Sequence, residues 1–570
     1  MNTLLKSLCL WGFVGAGMTA PLHGQAPKVL SAASLSASPE TVMYPDYARK
    51  EAYLEVYRLH HRPDETVFDV TVYSQPGYWI SLNAETHLVG CQTGKTYRLH
   101  RSEGFELNQQ VVMPDSASRS FQLHFDPLDT RDQAVHWLET PKDTLASSLS
   151  VRNLPRPEGT FACRLKGRIV GEKPCRRLLM KDPLGNYRYN TLRSIPVYQQ
   201  QFDYTFYATQ PQVVELVKWE EYSQGAWFSH PFFVEEGANS FDLPDGTEAL
   251  NVHSVTATNR EWDAYQQQRR QVEQAGGLDS LYAVMHSLGK EKSLMPAARA
   301  TLQQLDSVYQ VMEKTDSSEA KALRNRLFEQ LDALKRNGEM YTPAYQALER
   351  QIRAVSQSVE TKQYASIEQD SAPSLAGLYY LNRRIAQYVQ RELPDYQQPY
   401  ALYQKKYAAS WGNHPLGKHI ETLVASVQRM KVGSPYAACQ AEDLQGKVVS
   451  VAEQIQGKWA VIDLWASWCG PCRTNSRQLV PLYQRYRNRN FTIVGIAREQ
   501  KISDVEAALR QEKFPWLQLV DLNDKYGIWL KHGIPHAAGG LFLIDPQGRI
   551  AAVEPTVDEL EALLKEYLEP

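Results

Sequence analysis

The chain has 570 residues, of which 43% are hydrophobic, 22% charged and 10% aromatic. This composition is typical of a folded globular protein and excludes collagen-like, low-complexity and fully disordered chains. One hydrophobic core does not support this length, so we expect about three or four domains. The formal net charge of −2 gives no indication of a basic surface for nucleic acid or for an anionic membrane.

The first 25 residues have the pattern of a secretory signal peptide. Lys6 precedes an apolar run from Leu8 to Ala20, and a polar, turn-prone segment follows. The run is too short to span a bilayer, and no later segment reaches about 18 uninterrupted apolar residues. Lipidation at Cys9 is disfavoured because a bulky leucine precedes it and the apolar run follows it. We expect export to the periplasm, with a buried N-terminal helix of a cytosolic protein as the alternative.

Two β-rich regions are predicted next. Over residues 30–152, alternating runs such as Val67–Tyr73 and Phe121–Phe125 are separated by Gly, Pro, Asp and Asn, which indicates a small antiparallel β domain. After a proline-rich boundary, a sandwich-like β domain is predicted over residues 159–255. Neither region shows a pattern typical of an enzyme site.

Cysteines outside the signal segment matter because an exported protein retains disulfides. They are Cys91, Cys163, Cys175, Cys439, Cys469 and Cys472. Cys163 and Cys175 flank a short strand and turn, so a structural disulfide between them and two unpaired core thiols are equally supported predictions. Cys91 and Cys439 are predicted to be structural.

The pattern becomes helical over residues 258–430. Leu302, Leu305 and Val308 recur at the spacing of one helix face, and Asn337-Gly338 supplies a stop signal. Several antiparallel helices are expected. Their Gln- and Arg-rich faces are more typical of a solvated surface than of a docking surface.

From residue 431 to 570 the pattern is α/β. Trp459–Trp465 is a buried-strand run, and a helix is predicted from Pro471 to Arg487. The remaining predicted elements are strands at 491–497, 517–520 and 541–544 and helices at 502–512 and 557–568. This order is that of a thioredoxin fold with an insertion. The predicted architecture is therefore multidomain: two N-terminal β-rich domains, a helical middle segment and a C-terminal α/β domain.

Cys469-Gly470-Pro471-Cys472 lies where the buried strand gives way to the helix. Unpaired N–H groups and the helix dipole stabilise a thiolate at such a position, and Pro471 fixes the backbone φ of the first helical turn. A zinc site would need a second pair of ligands, and His532 and His536 are isolated far downstream. The pattern favours a redox-active dithiol that uses no metal and no cofactor.

The run from Asp463 to Arg473 resembles the active-site segment of thioredoxins. The region from about Val432 to Pro570, a quarter of the chain, resembles the TlpA/ResA-like periplasmic branch of that family. Three runs suggest that branch: Val432-Gly433-Ser434-Pro435, Asp443–Lys447 and Phe542–Gly548. The upstream regions resemble, more loosely, the N-terminal regions attached to such domains in envelope proteins of Bacteroidetes.

The resemblance implies a role for each central residue. Cys469 would be the exposed nucleophile that attacks a substrate disulfide, and the more buried Cys472 would resolve the mixed disulfide. Asp463 matches the buried acid that helps to move the proton of the resolving thiol, a role that requires a raised pKa. A core carboxyl with no catalytic part is the alternative for Asp463.

Substrate contacts and the family's cis-proline are predicted around this dithiol. The predicted substrate contacts are Trp468, Gly470, Pro471 and Ile534. Trp465 and Trp468 are expected to pack around the turn, and a structural role is at least as well supported for each of them. Pro535 is the candidate for the cis-proline that faces the cysteines, although about four extra residues separate it from the Phe542 strand.

Two positions depart from the family pattern. Asn475 stands where a glutamate is common, and Arg477 stands where a proline is usual, so that the nearest helix proline is Pro481. Any proton transfer by that glutamate is therefore absent here.

The leading hypothesis is a cell-envelope thiol:disulfide oxidoreductase that reduces or isomerises protein disulfides. Its partners would be protein disulfides or dithiols and an upstream thiol electron donor, with no nucleic acid and no integral membrane segment. A peroxiredoxin-type peroxidase needs a Pro-x-x-x-Thr/Ser-x-x-Cys run, which precedes neither Cys469 nor Cys472. The non-enzymatic alternative is an envelope scaffold with a regulatory or vestigial thioredoxin-like domain. The retained cysteines and Asp463 argue against it.

Overall fold

A computed structural model describes residues 41–569, except for 44–46, 49–53, 141–146, 153–157, 172–174, 176, 185–191, 198, 224–228, 247–249, 315–317, 391–395, 438 and 535–538. The predicted signal segment, residues 1–25, lies outside the described residues. In its described part, the chain divides into a compact unit of residues 262–371 and a second unit formed by residues 41–261 and 372–569.

The N-terminal β region belongs to the second unit. Its strands are β1 (Thr41–Met43), β2 (Tyr47–Ala48), β3 (Leu54–His61), β4 (Thr66–Tyr73), β5 (Trp79–Ile80), β6 (His87–Gly90), β7 (Thr96–Glu103), β8 (Val111–Val112), β9 (Ser118–Phe125), β10 (Ala134–Leu138) and β11 (Ser147–Ser150). Nine of them form one sheet in the order β1-β3-β4-β9-β7-β6-β10-β11-β2, and β5 pairs with β8. Alternation along β4 directs Phe68, Val70 and Val72 into one core cluster.

The next β region consists of two four-stranded sheets. Its elements are β12 (Phe161–Ile169), β13 (Arg177–Lys181), β14 (Leu192–Pro196), β15 (Gln201–Ala208), β16 (Gln212–Lys218), α1 (Trp219–Ser223), β17 (His230–Val234), β18 (Gly237–Leu243) and β19 (Asn251–Ser254). The sheet orders are β15-β12-β18-β19 and β14-β13-β16-β17, and buried side chains from both sheets form one core cluster. Strands β12 and β18 approach so closely that a Cβ on Gly167 would lie 1.8 Å from the Phe241 carbonyl oxygen.

The possible disulfide between Cys163 and Cys175 is not present, and both residues are free, buried thiols. Cys163 lies on β12, whose partners are β15 and β18, whereas Cys175 precedes β13 of the other sheet. The two cysteines therefore do not flank one hairpin. Cys175 Sγ instead donates a hydrogen bond to the Arg177 carbonyl oxygen at 3.0 Å. The second prediction, two unpaired core thiols, describes this structure.

Helices occupy most of the middle of the chain. They are α2 (Ala257–Ala275), α3 (Leu278–Ser293), α4 (Pro296–Lys314), α5 (Ser318–Arg336), α6 (Pro343–Gln369), α7 (Leu375–Gln390), α8 (Gln397–Leu402), a π-helical turn (Tyr403–Tyr407), α9 (Ala408–Trp411) and α10 (Pro415–Arg429). Leu305 and Val308 of α4 pack with Leu327 and Leu331 of α5. The stop signal is used as predicted, because Gly338 follows α5 with a φ of +71° that favours glycine.

The compact units divide this helical stretch. Helices α3 to α6 and most of α2 lie in the unit of residues 262–371, whereas α7 to α10 belong to the unit that holds both β regions and the C-terminal domain. The domain boundaries predicted from the sequence stay predictions.

The C-terminal domain is a seven-stranded sheet with helices. Its elements are β20 (Gln440–Asp443), β21 (Val448–Ser450), α11 (Val451–Ile455), β22 (Trp459–Trp465), α12 (Gly470–Tyr486), β23 (Phe491–Glu499), α13 (Ile502–Glu512), β24 (Leu517–Leu522), α14 (Ile528–Lys531), β25 (Gly540–Ile544), β26 (Ile550–Val553) and α15 (Val557–Leu568). The strand order is β21-β20-β24-β23-β22-β25-β26. Strands β22, β23 and β24 are parallel, so their carboxyl ends meet at one edge of the sheet. The edge hairpin β20–β21 was not predicted as strands.

Candidate active site

The cysteine pair lies at the carboxyl edge of the sheet, between β22 and α12. Cys469 is the N-cap residue of α12, and its Sγ accepts a hydrogen bond from the Cys472 N–H at 3.1 Å. The Cys469 N–H donates to the Ala466 carbonyl oxygen at 3.0 Å, which fixes the turn that enters the helix. Pro471, in the first helical turn, has no N–H to leave unpaired.

The two cysteines are joined by a disulfide. The expected contrast in exposure is not seen in this form: Cys469 is 7% exposed, whereas Cys472 is partly exposed. In the disulfide each sulfur covers the other, and the Cys469 sulfur also faces the start of the helix. The distinction between the two cysteines therefore depends on the N-cap position of Cys469. A free helix N–H and the helix dipole stabilise negative charge on that sulfur.

Asp463 is buried in the middle of β22, at 2% exposure. Burial raises its pKa to about 7, and the Ser476 hydroxyl, which donates to Oδ2 at 2.7 Å, opposes part of that rise. The same hydroxyl lies 3.1 Å from the Cys472 carbonyl oxygen, one helical turn earlier. Ser476 therefore connects the carboxyl to the turn that carries Cys472. Ser476 was not among the predicted site residues, although its position four residues after Cys472 was an available signal.

Buried Glu499, at the end of β23, holds the loop that precedes Cys469. Its Oε1 accepts a hydrogen bond from the Ser467 N–H at 2.5 Å. The Ser467 carbonyl oxygen accepts from Arg473 Nη1 at 3.3 Å. Both main-chain groups of Ser467 are thus bound by side chains from neighbouring elements. Neither Glu499 nor Arg473 was among the predicted site residues, because their contacts with the loop exist only in the folded domain.

Arg477 on α12, which stands where the family pattern has a proline, forms an ion pair. Its Nε lies 2.6 Å from Oε2 of Glu512, at the end of α13, and Arg473 Nε lies 2.6 Å from Oε1 of the same carboxylate. The hydrogen bond from Arg477 is the main cause of a lowered pKa of Glu512. Asn475, the other departure, is exposed. Asn475, which lies between Arg473 and Arg477 on α12, therefore provides no carboxylic acid near the cysteines.

The predicted substrate contacts differ in accessibility. Gly470 and Pro471 are exposed and Trp468 is partly exposed, so these three border the cysteines at the surface. Ile534 is partly buried and packs against the core cluster on one side of the sheet. Trp465 is fully buried, and its Nε1 donates to Gln518 Oε1 at 3.1 Å, which is a structural role.

Gly539, the residue just before β25, lies against Cys472. A Cβ on Gly539 would lie 2.0 Å from the Leu464 carbonyl oxygen and 3.0 Å from Cys472 Sγ, so only glycine fits. Pro535, the candidate cis-proline, lies outside the described residues, and the peptide bonds that the structure describes are all trans. The signal for Gly539 was the Gly539-Gly540 pair directly before a predicted strand.

Neither His532 nor Cys439 belongs to the cysteine site. Burial lowers the pKa of His532 to about 4, and its Nε2 lies 2.9 Å from the Tyr436 hydroxyl. The same hydroxyl lies 3.7 Å from Cys439 Sγ. Among the described residues, no cluster of three or more His, Cys, Asp or Glu side chains is arranged to hold a metal ion.

Residues 432–553 match the AhpC/TSA family. Over 145 residues the chain is 24% identical to the thiol-disulfide oxidoreductase ResA of Bacillus thuringiensis, which covers 25% of this chain and 81% of that protein. We call the C-terminal domain the ResA-type domain because of this similarity in sequence. It is also 30% identical over 101 residues to the thiol:disulfide interchange protein HelX of Rhodobacter capsulatus, covering 17% of this chain and 53% of HelX.

Solved structures similar to the ResA-type domain include the thioredoxin domain of a thiol-disulfide oxidoreductase from Bacteroides vulgatus. It is 27% identical, covers 24% of this chain and 98% of that chain, and has a TM-score of 0.23. A thiol:disulfide interchange protein from Bacteroides sp. is 26% identical, covers 25% and 91%, and has the same TM-score of 0.23.

Proposed function

We propose that the protein is a cell-envelope thiol:disulfide oxidoreductase that reduces or isomerises protein disulfides through Cys469 and Cys472. One observation carries the proposal. Cys469 caps the start of a helix, and Ser476 on that helix links the Cys472 turn to the buried Asp463 carboxyl, whose pKa is about 7. The similarity of the ResA-type domain to named thiol-disulfide oxidoreductases supports the same chemistry.

The reaction begins from the dithiol form. The Cys469 thiolate attacks one sulfur of a substrate disulfide, so that a mixed disulfide forms and one substrate thiolate leaves. The Cys472 thiolate then attacks the Cys469 sulfur, which releases the second substrate thiolate and leaves the Cys469–Cys472 disulfide. Two electrons pass to the substrate, and an upstream thiol donor must return them.

Asp463 is proposed to take the proton that the Cys472 thiol loses. Its pKa of about 7 allows it to gain and lose a proton near neutral pH. Ser476 positions the carboxyl below the turn that carries Cys472. Trp468, Gly470 and Pro471 are the proposed substrate contacts, and Gly539 is added to them because its backbone borders Cys472.

Export is part of the proposal. It is supported by the apolar N-terminal run described above, which has the pattern of a cleaved signal. Within the part of the chain that the structure describes, no helix combines the length and apolar character needed to cross a bilayer. Fractionation of cells, with N-terminal sequencing of the processed protein, tests the location.

The activity test measures reduction of a model protein disulfide by the purified chain under a strong thiol donor. Cys469→Ser is expected to abolish turnover because the attacking sulfur is gone. Cys472→Ser is expected to accumulate a mixed disulfide at Cys469, visible by mass. Cys91→Ser, which removes the exposed thiol of the N-terminal β region, is the matched control and should retain turnover. An inert wild-type protein would favour the scaffold alternative.

A further inference from the structure

Helix α13 belongs to a segment, Glu499 to Glu512, that contacts the cysteine site at both of its ends. Glu499, three residues before the helix, accepts the Ser467 N–H in the loop that leads to Cys469. At the other end, the Glu512 carboxylate accepts from Arg473, which follows Cys472 directly. The segment from Glu499 to Glu512 therefore forms one border of the surface around the cysteines.

The N-terminal β region contacts this border at its start. Lys501 Nζ, in the connection between β23 and α13, lies 2.6 Å from Oε2 of Glu139, directly after β10. The two side chains are only 26% and 23% exposed, so the pair is largely withdrawn from water. An ion pair in such a place is stronger than a fully exposed one. Glu139 therefore contacts the chain two residues after Glu499, whose carboxylate holds the loop before Cys469.

Other contacts hold the β region in place within the same compact unit. The buried Arg177 of the second β region pairs with Glu55 of β3. The second β region is in turn bound to α7, where the Tyr379 hydroxyl donates to Glu215 at 2.9 Å. Helix α10 packs against α14 of the C-terminal domain. The Lys501–Glu139 pair is a direct contact between the N-terminal β region and the domain that carries the cysteines.

We propose that the N-terminal β region, docked through Glu139 and Lys501, restricts the approach to Cys469 and selects disulfides in extended or unfolded segments over those on folded proteins. The inference rests on the proposed function. A substrate must reach the exposed Gly470–Pro471 turn. This turn and Lys501 follow the carboxyl ends of the adjacent parallel strands β22 and β23, so the β region is docked at the same edge of the sheet. We expect a narrow peptide to reach the turn beside the docked β region and a folded protein to be hindered by it.

The test compares the reduced full-length chain with Lys501→Glu and Glu139→Lys, all in a Cys91→Ser background. Rates are measured with a short disulfide peptide and with a folded protein that carries an exposed disulfide. Each single reversal places like charges together and should raise the folded-protein rate by about threefold to tenfold, with the peptide rate unchanged. The double variant restores an attractive pair with reversed charges and should return both rates to the wild-type values.

A second measurement does not depend on turnover. Cys469 is alkylated in the same variants with a small maleimide and with a bulky polymer-linked maleimide, and the modified residue is identified by mass. The single reversals should raise only the bulky-reagent rate. Equal ratios in all variants would overturn the inference, as would a folded-protein rate that falls when the pair is broken. A wild type that labels as expected but reduces neither substrate would refute the proposed function instead.

Discussion

Two pairs of cysteines in this chain lie close in sequence and differ in state. Cys469 and Cys472 form a disulfide, whereas Cys163 and Cys175 are free thiols in an apolar core. The first pair shares one helical turn, whose free N–H groups stabilise a thiolate. Desolvation raises the pKa of Cys163 to about 11 and raises that of Cys175 further. Reactivity is therefore set by the backbone and solvent around a sulfur, and short sequence separation is not sufficient.

The sharpest test of this comparison is thiol reactivity in the reduced protein. At neutral pH, Cys469 should be alkylated at least ~10³-fold faster than Cys163, because thiolate fraction falls tenfold for each unit of raised pKa. Mass-resolved kinetics with a small alkylating reagent measure each site separately. Unfolding in denaturant is the control and should make all the rates similar. Comparable native rates for the two residues would contradict the comparison.

The second prediction concerns the buried carboxyl of Asp463, which Ser476 links to the Cys472 turn. The folded protein holds the Asp463 proton more tightly than the unfolded chain does, because burial raises the pKa from 3.8 to about 7. As pH rises through this window, the unfolded chain loses its proton first, so the free energy of unfolding falls. The loss reaches about 4 kcal/mol by pH 7 to 8 and is absent below pH 4. Asp463→Asn should remove this pH dependence, as measured by denaturant unfolding of the disulfide form.

Asp521 provides a matched control for that variant. It is also fully buried, and desolvation raises its pKa to about 6, but it accepts hydrogen bonds from the Tyr526 and Ile528 N–H groups, away from the cysteines. Asp521→Asn should alter the pH dependence of stability and leave the rate of resolution by Cys472 unchanged. Asp463→Asn should slow that resolution near neutral pH. Equal rates of resolution in both variants would show that Asp463 is only a core carboxyl.

The third and smallest effect concerns the glycine beside Cys472. A methyl group on Gly539 collides with the Leu464 carbonyl oxygen, whereas a methyl group on Gly470 meets no atom within 4 Å. Gly539→Ala should therefore lower the free energy of unfolding by about 2 kcal/mol, which is typical of overpacking. Gly470→Ala is the control and should change it by less than about 1 kcal/mol. Equal stability of the two variants would refute the close approach of Gly539.

The placement of Cys469 and Cys472 between a strand and a helix was predictable from the sequence because the pattern that determines it is local. The apolar run before Cys469, the two-residue spacing and Pro471 together determine a strand, a turn and a helix start. Helix α13 and helix α15 begin and end where the periodicity predicts them. The hairpin β20–β21 was not predicted because its strands are short and lie at the edge of the sheet. Few of their side chains are buried there, so the sequence shows little apolar alternation.

Contacts between residues that are distant in the sequence could not be predicted from it. Glu499 ends β23 and Gly539 precedes β25, and both meet the cysteine turn because β22 lies between those two strands. The contact between Lys501 and Glu139 joins residues 362 positions apart. The sequence by itself determined which two cysteines lie at the start of a helix, since helix capping is a local property. Only the tertiary structure decided what surrounds them, because sheet order and domain docking depend on contacts between distant segments.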